Sequence, residues 1–143
     1  MGEWRPGLSV HESRKFDARE KSVEQVDGVW PEPGDDATSV MRAVRRLRQV
    51  PVAELDPKGL RMLVAQRVSL TFILPRVFAV LDVDPLVAGD FYAGDLLVAT
   101  LRAADQLGAG ARERLREVVS RLRDGSWGPV PAEVWELADD LGG

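Results

Sequence analysis

The chain has 143 residues, which is the size of one ordinary domain. It contains no cysteine and a single histidine, so disulfides, thiolate metal sites and mechanisms that need two imidazoles are excluded. The net charge of −4 argues against a nucleic-acid binder, because such proteins usually carry a basic surface.

The chain contains no apolar run long enough to cross a membrane, and its first residues lack the apolar segment of a secretory signal. The absence of cysteine fits a reducing compartment. We therefore expect a soluble, cytoplasmic protein that carries no cofactor and does not bind a membrane.

Charge is distributed unevenly along the chain. Residues 41–80 contain two acidic and eight basic residues, and residues 81–110 contain five aspartates and one arginine. Residues 124–143 contain five acidic residues and no basic one. Two interpretations remain open: arginine-rich helices pair with acidic loops inside one fold, or the acidic segments meet a basic partner.

Residues 1–37 are rich in turns and have no helical period. Proline and glycine recur at Arg5-Pro6-Gly7, at Asp27-Gly28 and between Pro31 and Gly34, and both residue types interrupt helices. We predict an irregular N-terminal arm over residues 1–37, packed on or beside a helical domain that spans residues 38–143.

From residue 38 onward, apolar residues recur at helical spacing. Thr38 or Ser39 can cap a first helix, and Pro51 ends it. Asp56-Pro57 is typical of a second helix start, because aspartate caps well and proline suits the first helical position. The remaining predicted helices cover residues 69–81, 95–106 and 111–122, followed by a short helix from Pro131.

The segment 69–81 is apolar on almost all sides, as expected of a central helix. Pro75 lies in its middle and predicts a kink or a new first turn. No alternating pattern of useful length follows residue 38. We therefore predict an all-α fold, a compact single-domain bundle of about five to seven helices with an irregular N-terminal arm.

The candidate catalytic and metal-binding groups are weak. Four aspartates lie between residues 82 and 95, but Pro85-Leu86-Val87 occupies the positions where a calcium loop places its oxygen ligands. The adjacent side chains of His11-Glu12-Ser13 cannot converge as those of a catalytic triad do. We therefore expect neither an enzyme nor a metal site.

The most unusual segment is Gly89-Asp90-Phe91-Tyr92-Ala93-Gly94-Asp95, in which two Gly-Asp pairs enclose an aromatic pair. Either aspartate can accept hydrogen bonds from backbone N–H groups, and the glycines allow unusual φ angles. Phe91 is expected to pack inward, while Tyr92 keeps its polar end at the surface. The segment also suits a binding surface, since carboxylates beside an aromatic ring can form an interface hot spot. Both interpretations remain open, and they are compatible.

A series of motifs carries a resemblance to a known family. In chain order they are Trp30-Pro31-Glu32-Pro33, Leu47-Arg48-Gln49-Val50-Pro51, Leu60-Arg61-Met62-Leu63-Val64-Ala65-Gln66, Leu74-Pro75, Asp84-Pro85-Leu86 and Gly89-Asp90-Phe91-Tyr92-Ala93-Gly94-Asp95-Leu96-Leu97. The series, over residues 29–101, resembles the immunity proteins of bacterial contact-dependent growth inhibition (CDI) systems. One departure stands at Ser69, where the family pattern predicts a glycine.

The resemblance implies a small helical protein of the cytoplasm that has no catalysis of its own. Such a protein binds the C-terminal toxin domain of a contact-delivered effector and neutralises it by blocking the active site. Many of these toxins are nucleases, so the expected toxin is a nuclease with a basic active site. The expected partner is thus a cognate toxin domain, with no direct contact to nucleic acid or membrane.

The acidic and aromatic groups of one region are the candidates for toxin contact, since acidic complementarity favours encounter with a basic partner. These candidates are Asp82, Asp84, Asp90, Tyr92 and Asp95. Two other classes remain open on the residues alone: a helical adaptor or regulatory module unrelated to toxins, and a nucleic-acid binder that uses the arginine-rich helices. The sequence predicts no oligomeric state.

Overall fold

The structure is a computed structural model and describes residues 20–141. The described residues contain seven α-helices and no strand longer than an isolated bridge. The chain divides into two compact units, Met1–Glu54 and Leu55–Gly143. His11 and most of the expected N-terminal arm lie outside the described residues. The prediction of an all-α fold is confirmed.

Among its described residues, 20–54, the first unit holds two α-helices, α1 (Val23–Asp27) and α2 (Ser39–Leu47). Ser22 and Gln25 form a capping box at the start of α1, in which each side chain bonds the backbone of the other residue. Thr38 caps α2 as predicted, because its hydroxyl accepts a hydrogen bond from the Met41 N–H. A short helix therefore forms among the turns of a segment in which the sequence predicted none.

The buried groups around α2 differ from those expected. Val40 and Met41 belong to the apolar helical pattern that follows residue 38 in the sequence, but both are exposed. Arg48, the residue that follows α2, is instead 3% exposed. Its guanidinium donates to the Gly28 carbonyl at 3.0 Å and lies 4.2 Å from the centre of the Trp30 ring. A cation–π contact and a hydrogen bond thus stabilise this buried arginine, although its Nε has no hydrogen-bond partner among the described residues.

Residues 55–141 of the second unit contain five α-helices. They are α3 (Pro57–Ala65), α4 (Leu70–Val83), α5 (Asp95–Arg102), α6 (Ala109–Ser120) and α7 (Ala132–Asp139). Asp56 caps α3 through the Gly59 N–H at 2.8 Å, with proline at the first helical position as predicted. The helix predicted over residues 95–106 ends at Arg102, and a 3₁₀ turn (Ala104–Gln106) follows it.

The centre of this unit is α5, because every residue from Asp95 to Leu101 is buried. It packs against α3 and α7, while α4 packs against α3 and α6. The expectation that α4 is the central helix is wrong, since Thr71, Ala79 and Val83 on one of its sides are exposed. The helix continues through Pro75 without a second start.

The turn between α3 and α4 uses left-handed backbone at two residues that are not glycine. Arg67 has φ 54° and Ser69 has φ 48°. The Arg67 N–H bonds the Val64 carbonyl, and the Val68 N–H bonds the Leu63 carbonyl, each at 2.9 Å. This pair of bonds is the Schellman motif, in which glycine normally occupies the position of Arg67.

Candidate functional site

The chain between α4 and α5, residues 84–94, forms a short closed loop that we call the 84–94 loop. The Asp84 carboxylate accepts a hydrogen bond from the Leu86 N–H at 3.0 Å, which makes the first turn. An isolated β-bridge joins Ala88 to Ala93. The Gly94 N–H bonds the Val87 carbonyl at 3.2 Å, so the two ends of the loop are tied together.

Asp95, the first residue of α5, fixes the conformation of this loop through hydrogen bonds to the loop backbone. Its carboxylate is 3% exposed and accepts three backbone hydrogen bonds: from Gly89 N–H at 2.5 Å, and from Asp90 and Phe91 N–H at 2.8 Å each. Burial acts to raise the pKa of Asp95, but the backbone amides outweigh it, so the pKa lies below its ordinary value. The Asp95 carboxylate therefore accepts hydrogen bonds from the loop backbone, as one of the two interpretations of this segment predicted.

The geometry of the loop explains why glycine occupies positions 89 and 94. A Cβ on Gly89 would lie 3.0 Å from the Asp95 carboxylate and 3.0 Å from the Pro57 carbonyl, which leaves no room for a side chain. Gly94 has φ 93°, a conformation that other residues rarely adopt. The two Gly-Asp pairs are thus spaced so that the backbone at Gly89 can reach the Asp95 carboxylate.

The loop displays its two aromatic residues to the outside. Phe91 is 71% exposed and Tyr92 is 41% exposed. The prediction that Phe91 packs inward is wrong, because the three hydrogen bonds to Asp95 fix the backbone with this side chain outward. The guanidinium of Arg61, from α3, lies 4.5 Å from the centre of the Phe91 ring and supports it.

The other acidic candidates are paired with cations, except for Asp84, which bonds the loop backbone. Asp90 is partly exposed and lies 3.9 Å from the Lys58 ammonium and 4.0 Å from the Arg61 guanidinium. Asp82 lies on α4 rather than in the loop, and its half-exposed carboxylate accepts a hydrogen bond from Arg114 of α6 at 2.9 Å. The structure thus brings Asp84, Asp90, Tyr92 and Asp95 together in or behind one loop.

A pocket of about 490 Å³ opens beside the aromatic pair. Its lining includes three arginines, the two loop aromatics and one glutamate from α7. These residues are Arg61, Arg67, Arg102, Phe91, Tyr92 and Glu133. Within residues 20–141 no cluster of acidic or histidine side chains is arranged to hold a metal ion. None of the helices in the same part of the chain is long and apolar enough to span a bilayer.

Comparison with protein families gives a match over residues 24–118 to the model for CDI immunity proteins. The chain belongs to this family. The match includes the 84–94 loop, Asp95 and the three pocket arginines of this immunity protein, and it ends before α7. Comparison with curated protein sequences returns no match.

Sequence reasoning missed Arg61 as a member of the site of this immunity protein. Lys58 and Arg61 are three residues apart on a helix, so they were identifiable as neighbours on one side of α3. Their meeting with the 84–94 loop depends on how α3 packs against α5, and helical spacing does not contain that information.

Proposed function

We propose that this immunity protein binds the C-terminal domain of a nuclease toxin through the 84–94 loop and neutralises it by covering the active site. Membership of the CDI immunity family supports a toxin-neutralising role. The observation that carries the choice of surface is the exposed aromatic pair, Phe91 and Tyr92, on a loop held by buried hydrogen bonds.

A phenylalanine as exposed as Phe91 does little for folding, because it removes little apolar surface from water. In a binding surface the same ring can supply a large share of the affinity once a partner covers it. The Asp95 carboxylate and Arg61 already fix the loop and the Phe91 ring. Little conformational entropy remains to be lost on binding, and this favours a tight complex.

The charges around the loop support a basic partner. Asp82, Asp84 and Asp90 keep part of their surface in solvent, and the chain as a whole has a net charge of −4. A nuclease that attracts phosphates presents positive potential at its active site, and acidic groups complement that potential. The immunity protein acts in this proposal by occupying space, with no catalytic step.

The test is to express the toxin domain encoded next to this chain, and to measure both complex formation by calorimetry and nuclease activity. We expect a stoichiometric complex and full inhibition by the wild-type protein. Phe91→Ala and Tyr92→Ala should each weaken binding by about 30-fold, the effect of losing one hot-spot residue. Trp127→Ala is the matched control, since it removes an exposed aromatic outside the loop.

Three results would contradict the proposal. They are a wild-type protein that does not bind the toxin domain, a complex in which the nuclease remains active, and loop variants that bind as well as Trp127→Ala. The second result would leave the interaction intact but remove active-site occlusion as its mode of action.

A further inference from the structure

We propose that the pocket beside the aromatic pair receives a carboxylate side chain of the toxin, held by Arg61, Arg67 and Arg102. This inference rests on the proposed function, since it takes the toxin as the partner. It adds the chemistry of a single contact: an acidic residue of the toxin enters next to Phe91 and Tyr92. The expected interaction is thus of mixed sign, with acidic groups of the loop on one side and arginines on the other.

The lining of the pocket combines apolar and aromatic groups with the three arginines. The apolar floor comes from Ala65 of α3 and from Val98 and Ala99 of α5. Phe91 and Tyr92 also line the pocket, and in this proposal a side chain that enters packs against their rings, which shield it from part of the surrounding water. Shielding strengthens an ion pair, because the effective dielectric constant falls.

Arg61 has unused hydrogen-bonding capacity. It makes no hydrogen bond within the described part of the chain, and its buried Nε has no hydrogen-bond partner there. Its contacts with Asp90 and Asp95 are 4.0 Å long, well beyond the 2.7–2.9 Å or so of a charge-assisted hydrogen bond. A guanidinium that faces a pocket with free donors is suited to a carboxylate from outside.

Arg67 occupies a position that favours glycine. Its φ of 54° belongs to the left-handed region, where a side chain costs about 1 kcal/mol or more. The Arg67 Nη2 donates to the Arg102 carbonyl at 2.8 Å, and it lies 3.9 Å from the exposed Asp105 carboxylate. Strained backbone often accompanies a functional side chain, and here it places a third guanidinium at the pocket.

The charge of the lining favours an acidic occupant. Three arginines face two carboxylates, and one of these, Asp95, is already bonded to three backbone amides. The other, Glu133, pairs with Arg102 and is the group that a toxin carboxylate would compete with. Phosphate would satisfy the same arginines, but membership of the immunity family points to a protein as the partner.

The experiment uses two variants that break the same ion pair. In the full-length protein, Arg102→Gln removes a cation from the pocket, whereas Glu133→Gln removes the competing carboxylate. We expect Arg102→Gln to weaken the affinity for the toxin domain by about tenfold and Glu133→Gln to strengthen it several-fold. A merely structural role of the Arg102–Glu133 pair would change both affinities in the same direction.

Arg67→Gly provides a third variant, which we expect to remain folded. Glycine relieves the left-handed strain, which offsets the lost hydrogen bond, so the melting temperature should change little. Affinity should again fall by about tenfold. Arg121→Gln is the matched control, because this exposed arginine does not line the pocket.

The outcomes separate this inference from the proposed function. If the wild-type protein does not bind the toxin domain, the proposed function fails. If it binds, but the pocket variants behave as Arg121→Gln does, or if both members of the Arg102–Glu133 pair weaken binding, the carboxylate contact is wrong. Binding of a short RNA that is lost in Arg67→Gly would also overturn it, in favour of a phosphate site.

Discussion

At the scale of single residues, the conformation of the 84–94 loop depends on the Asp95 carboxylate. Asp95→Asn keeps the size of the side chain but removes its charge and directs an amide N–H₂ toward backbone donors. We expect a loss of about 2–3 kcal/mol in the free energy of unfolding, the range for hydrogen bonds to a charged group. Urea unfolding measures it, with Asp84→Asn as the control, since its amide oxygen can still accept the single bond from the Leu86 N–H.

The same carboxylate predicts how stability depends on pH. Burial raises the pKa of Asp95, but hydrogen bonds from the backbone amides lower it by more. The carboxyl group therefore binds a proton less tightly in the folded state than in the unfolded state. The stabilisation is therefore complete above the unfolded pKa of about 4 and is lost as the pH falls through the lower folded value. The urea midpoint should therefore begin to fall as the pH drops below about 5 and keep falling through the folded value.

Asp95→Asn should lose less stability at acidic pH, so its urea midpoint should vary less with pH than that of the wild type. Asp124 also has a lowered pKa, because its carboxylate accepts hydrogen bonds from the backbone and side chain of Ser126, and its share persists in the variant. Parallel profiles for wild type and Asp95→Asn would mean that Asp95 is not the titrating group.

Ser69 gives a prediction of the opposite sign. Its φ of 48° lies in the left-handed region, and its hydroxyl does not cap α4. The free energy of unfolding of Ser69→Gly should therefore be about 1 kcal/mol higher than that of Ser69→Ala, since both variants lose the hydroxyl and only glycine relieves the backbone. Ser69→Ala keeps the strained backbone and serves as the control. If the two variants are equally stable, the conformation of this residue is not strained.

At the scale of secondary structure elements, local signals predicted most helix starts. Thr38 and Asp56-Pro57 cap α2 and α3 as expected, because capping depends on residues within one turn of each other. The identity of the central helix was predicted wrongly. Apolar content favoured α4, but α5 lies between α3 and α7, and burial depends on such neighbours.

The 84–94 loop was predicted only in part, for a similar reason. Its glycines and aspartates indicated a tight structure, and Asp95 does bond the backbone as one interpretation held. The outward position of Phe91 follows from a carboxylate that bonds the residues before it in the chain rather than those after it. The spacing of the glycines and aspartates does not show whether the carboxylate bonds the residues before it or those after it.

Glycine substitutions test how closely the 84–94 loop packs. Gly89→Ala should destabilise the protein by about 1–3 kcal/mol, since the added Cβ meets a backbone carbonyl and a fixed carboxylate at 3.0 Å. Gly110→Ala, in the first turn of α6, meets nothing within 4 Å and should stabilise the helix by about 0.5 kcal/mol. Urea unfolding of both variants measures the difference, and a stable Gly89→Ala protein would contradict the close packing of the loop.

At the scale of the whole molecule, net charge affects how fast the proposed complex forms. A chain with a charge of −4 attracts a basic toxin domain over distances that salt screens. We expect the association rate constant to fall by about tenfold from low to high ionic strength, while the dissociation rate constant changes little. Stopped-flow mixing with the labelled toxin domain measures both constants.

Two variants separate long-range attraction from contact. Asp140→Asn removes an exposed charge near the end of the described chain, outside the 84–94 loop and the pocket, and should lower only the association rate constant. Tyr92→Ala leaves the charge unchanged and should instead raise the dissociation rate constant, because it removes contact area that forms after encounter. An association rate constant that rises with salt would mean that the two partners carry like charge. The toxin domain would then not be basic, and acidity would have no part in partner choice.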